Sequence, residues 1–123
     1  FIETLSVRYT IDEQGYQSYK QDEALFQQNY PDWMAYFENV LVNHLFYANI
    51  PFEDKRLKKE DYTSGLCLCY EIMKVICSVK TVEDHSIDNL CDVISDIFHL
   101  IEHTPYYYNA HVLIKNEADL LAI

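Results

Sequence analysis

The chain reads as all-α, an antiparallel bundle of four to five helices, on three observations. Glycine and proline are scarce, two and three in 123 residues, which leaves few tight turns for a many-stranded sandwich or barrel. Apolar residues recur at three- and four-residue spacing over long stretches, the period of a helix face. Half the residues are hydrophobic and 15% are aromatic, which excludes disorder and supplies one domain's core.

Residues 1–18 form a poorly defined lead-in. Leu5, Val7, Tyr9 and Ile11 alternate with Ser6, Arg8 and Thr10 in the manner of a strand, but the same stretch fits a frayed helix end. We read 1–15 as irregular or frayed, followed by a short helix over 19–29 built on good helix formers around Ala24, Leu25 and Phe26. Pro31 then breaks the chain, and Asp32 is placed to cap a helix beginning at Trp33.

That helix carries Trp33, Phe37, Val40, Leu41, His44, Leu45 and Ala48 on one face. Its aromatic content predicts a place in the middle of the core. Asn49 can end it, and Pro51 with Phe52 turns the chain away. The loop over 49–59 holds Lys55, Arg56, Lys58 and Lys59, four of nine positive charges, which reads as a solvated loop before it reads as an anion site.

A second long helix is expected over about 60–79. Its apolar residues cover nearly the whole circumference, as in a helix enclosed by others, and Gly65 within it permits close approach of a neighbouring backbone. Thr81, with Asp84 three residues on, opens a third helix whose buried stripe is Ile87, Leu90, Cys91, Ile94, Ile97, Phe98 and Ile101. Thr104 and Pro105 read as a cap and first helical residue of a last helix ending near Lys115, with Tyr106, Tyr107 and Tyr108 in its first turn.

A net charge of -11 argues against nucleic acid and against an anionic membrane as partners, and suits either solubility or a lysine-bearing partner. Cys67, Cys69, Cys77 and Cys91 all fall in helical, apolar surroundings, so we read buried free thiols and a cytoplasmic, reducing environment. No apolar run reads as a membrane span and no signal peptide is visible. The chain opens on Phe1 and reads as a single helical domain over 1–123, a C-terminal piece of a longer protein.

Few constellations point to chemistry. His99-Leu100-Ile101-Glu102-His103 matches the H-x-x-E-H pattern of inverted zinc peptidases, and His99 and His103 share a helix face. A third ligand is missing from the pattern, so the pair reads better as histidines at a helix end, and the chain itself is expected to hold no metal. Cys67-x-Cys69 lacks the spacing of a zinc or iron–sulfur pair. Asn39 and Asn43, four apart on the Trp33 helix beside Glu38, need partners if buried; the Glu102–His103 end of the third helix or the tyrosine cluster can supply them. No phosphate loop, nucleophile motif or dinucleotide fingerprint is present, and no residue is assigned a catalytic role.

Tyr36-Phe37-Glu38-Asn39-Val40-Leu41-Val42-Asn43-His44-Leu45-Phe46, followed by Pro51-Phe52, resembles a block of the flagellin lysine-N-methylase family, roughly E-N-Y-L-V-N-Y-L-F and then P-F. Ile97 to His103 is similar to that family's closing R-x-I-E-H segment, with His99 in place of the arginine. The resemblance spans about 32–108 and marks Glu38, Asn39, Asn43, Glu102 and His103 as motif positions. It implies a bacterial, helical C-terminal portion of a protein that transfers methyl groups from S-adenosylmethionine to lysines of flagellin. The family's cysteine-rich, iron–sulfur-binding region has no counterpart here, so the resemblance implies a fragment inactive alone, partnered by the rest of its parent chain. The alternative is a non-catalytic helical module that binds a protein partner or a small apolar ligand.

Overall fold

The computed structural model describes residues 8–47 and 55–121, with side chains to 117. Much of the lead-in, over 1–7, and the stop expected at Asn49 and Pro51-Phe52 lie outside the described residues. Among the described residues five helices follow in order: α1 (Glu13–Asn29), α2 (Trp33–Tyr47), α3 (Lys59–Lys80), α4 (Ile87–Glu102) and α5 (Tyr106–Leu121). The fold is an all-α bundle, and no strand occurs among the described residues.

The first helix is longer than the composition of 19–29 predicts, because its start lies in the lead-in. Asp12 takes an extended conformation and its carboxylate accepts from the Gly15 amide at 2.8 Å, satisfying one of the unpaired donors of the first turn. Gly15 is buried because the Thr10 carbonyl lies directly over it; a Cβ there would sit 1.7 Å from that oxygen. The preceding segment is tied down by Arg8 Nε and the Tyr9 hydroxyl, both donating to Asp22, at 2.9 and 2.5 Å.

The boundaries of the later helices also move. Thr81 does not open α4 but closes α3: its amide and its buried hydroxyl both bond the Cys77 carbonyl, at 3.2 and 2.7 Å. With that hydroxyl spent, the cap passes to Ser86, whose Oγ accepts from the Asn89 amide at 3.1 Å. The Tyr106 amide turns back to the Thr104 carbonyl at 2.8 Å, the i→i+4 bonding of α5 begins one residue later with Asn109 donating to the Pro105 carbonyl at 3.0 Å, and that helix continues past Lys115 to Leu121.

The centre of the bundle is α3, not the aromatic helix around Trp33. It packs against α1, α2, α4 and α5, and Tyr62, Gly65, Cys69, Met73, Ile76 and Cys77 are buried along it. By length and composition α3 is also long and apolar enough to cross a bilayer, against the expectation from sequence; here it is the shared inner helix of the bundle. The main cluster joins Phe26 of α1, Phe37 of α2, Met73 and Ile76 of α3, and Leu90, Ile97 and Ile101 of α4.

Helix α2 buries only Phe37 and His44, while Met34, Val42, Phe46 and Tyr47 are exposed. Its grip is aromatic: the Phe37 ring lies 6.0 Å from Phe26, 5.3 Å from Trp33 and 5.9 Å from Tyr70, in tilted and edge-on arrangements. The four thiols are free but only Cys69 and Cys77 are buried, where desolvation pushes each up to about 12. Cys67 and Cys91 are exposed, against expectation, because α3 and α4 leave those faces uncovered.

Two outcomes follow. Phe37→Ala should cost about 3–5 kcal/mol in urea unfolding, while Phe46→Ala, at 82% exposure, should stay within about 0.5 kcal/mol. Equal losses would mean that α2 is buried on both faces. Asp12, Asp61 and Asp84 are all held below the ordinary carboxylate value, the first by Thr10 and the Gly15 amide and the others chiefly by backbone amides. Lowered folded-state values mean that their stabilisation is present above the unfolded value and lost as pH falls through the folded one. Stability should therefore decline below about pH 4, and Asp12→Asn should flatten that decline in an acid titration followed by circular dichroism.

Candidate functional site

Histidine on an apolar helix face creates a local demand. His44 is 4% exposed, and a buried imidazole needs partners for both nitrogens. It finds them on two other elements: Nδ1 faces Glu102 Oε1 at the end of α4, at 3.4 Å, and Nε2 meets the Tyr107 hydroxyl in the first turn of α5, at 2.7 Å. A carboxylate can only accept, so the proton sits on Nδ1 facing Glu102, and in the neutral ring Nε2 accepts from Tyr107. The Glu102 side chain is 23% exposed and remains accessible from solvent.

Tyr107 is fixed from several sides. Its ring stacks on His44 at 5.8 Å and packs against Tyr62 of α3 at 5.2 Å. Gly65 makes room for it: a Cβ at that position would lie 2.5 Å from Tyr107 Cδ1. What approaches α3 there is a ring, not the backbone that the glycine led us to expect. The neighbouring Tyr106 hydroxyl donates to the Gly65 carbonyl at 2.7 Å, and burial pushes that phenol well above its ordinary value, so it stays a donor.

These groups line a cleft of about 350 Å³, closed on its other sides by Tyr47, Arg56, Leu57 and Pro105. Arg56 lies over the Tyr108 ring, 4.0 Å from its centroid, so one cation of the basic loop is docked on an aromatic face. Below the cleft, Asp61 at the start of α3 pairs with His111 of α5 at 3.0 Å. The arrangement places a carboxylate, an imidazole and a phenol in series beside an aromatic wall, suited to holding a polar or cationic group and to sharing a proton with it.

Of the motif positions, Glu102 lies in the cleft wall. Glu38, Asn39 and Asn43 are exposed, and so is His103. The amides do not make the expected staple, because the helical turn that buries Phe37 and His44 carries residues 39 and 43 to the outer side. His44 makes the staple instead. The sequence did carry a signal for it, a lone polar residue between Leu41 and Leu45 in a buried stripe, which demands a partner. The His99 and His103 rings are neighbours with centroids 4.4 Å apart, and among the described residues no group of three potential metal ligands forms.

Removing the Tyr107 hydroxyl should leave His44 Nε2 buried without that donor. Tyr107→Phe is expected to cost about 1–3 kcal/mol, and Gly65→Ala a similar amount by overpacking against the ring. The two losses should fall short of additive in the double variant, since both act through one ring; strict additivity in denaturant melts would refute the coupling. No protein-family model matches the chain, and no curated protein or solved structure is significantly similar to it.

Proposed function

We propose that this chain is the non-catalytic helical portion of a protein-lysine methylase of the flagellin lysine-N-methylase kind, and that its cleft positions a substrate group for the rest of that protein. One observation carries the reading. The two blocks on which the resemblance rests, separated by 58 residues at their contact, meet through His44 and Glu102, with Tyr107 completing the series. Positions that share no local constraint in the chain thereby share one site. Methyl transfer from S-adenosylmethionine, and any iron–sulfur cluster, belong in this reading to the whole protein; the lysine-bearing substrate approaches an acidic surface.

A second reading, a helical binding module without enzymatic context, is favoured by the cleft itself, whose tyrosine-rich wall fits a small apolar or aromatic ligand. Assay of the full-length protein separates the two. The first reading expects methyl transfer to lysine by the full-length protein, none by residues 1–123 alone, and a fall of about tenfold or more in Glu102→Gln through mispositioning. Absence of transfer from the intact, folded protein would sink it and leave the binding module.

A further inference from the structure

We propose that His99 and His103 form a two-imidazole site for a borderline divalent transition metal at the C-terminal end of α4, separate from the cleft. The residues are four apart, one turn of helix, and their rings lie side by side with centroids 4.4 Å apart. Two imidazole nitrogens bound to one ion at about 2.0–2.1 Å each come to lie about 3 Å apart. Rings at the observed spacing reach that separation by side-chain rotation alone. Both residues are exposed, and among the described residues neither ring makes a hydrogen bond or ion pair, so no existing partner must be displaced.

The surroundings favour a cation. His103 is the C-cap of α4, where the unpaired carbonyls carry partial negative charge, and the chain as a whole is at -11. Glu102, between the two in sequence, is turned to His44 and serves the cleft. Imidazole suits nickel, copper and zinc, and with only two protein donors the remaining positions fall to water. The site is therefore open and reversible, and protons compete with the ion for the ring nitrogens.

Nickel is the probe of choice, because copper(II) would oxidise the exposed thiols of Cys67 and Cys91. Titration of residues 1–123 with nickel(II), followed by calorimetry and by thermal melting, should give one site and a rise in melting temperature. His99→Ala and His103→Ala should each weaken binding by about tenfold or more, since each removes the chelate partner, and neither should change the melting temperature without metal. Unchanged affinity in either variant overturns the proposal. So does loss of binding in His111→Ala with both rings intact, which would move the site to the His111–Asp61 pair.

Discussion

A helix that is apolar around most of its circumference has to be enclosed, and α3 imposes that requirement on every other element. Its buried line from Tyr62 through Cys69 and Met73 to Val79 has to be covered, while the row of Glu60, Ser64, Cys67 and Glu71 is left to water. The other four helices each contribute one apolar side to it, and their own polar sides become the acidic exterior. The loops then have little freedom. Thr81 turns the chain out of α3 on Cys77, and Tyr30 binds the Ser86 carbonyl at 2.8 Å, so the α1–α2 corner is fastened to the start of α4.

Enclosure of α3 also explains where the cleft lies. Gly65 lacks the side chain that would hold α5 away, so Tyr106 and Tyr107 drop onto α3 and bring the first turn of α5 beside the last turn of α4. The one buried imidazole of α2 then finds a carboxylate and a phenol within reach. A polar series in so apolar a setting is worth more through the penalty for breaking it than through the bonds themselves. It also orients α2, which otherwise grips the bundle by Phe37 and its ring contacts.

The fold class and four of the helices were legible from periodicity, because a 3.6-residue repeat is strong evidence when glycine and proline are rare. What failed were decisions between competing uses of one residue. Thr81 is equally good as a helix start or as a stop, and only the position of the Cys77 carbonyl decides. The Trp33 helix looked central because aromatic residues look buried, yet Phe46 and Tyr47 are exposed at 82% and 70%. In the site, Glu102 was legible as a motif residue while His44 was passed over as part of an apolar stripe; its partners are 58 and 63 residues away, a distance that no local pattern spans.

The uneven burial of the thiols has a practical side. Cys69 and Cys77 are sealed in the core and, as high-pKa thiols, are poor nucleophiles at neutral pH. Cys67 and Cys91 stand in solvent on two different helices of the bundle. The native chain thus carries its own pair of attachment points for spin labels or fluorophores. The spacing between α3 and α4 can be followed in solution without altering a single residue.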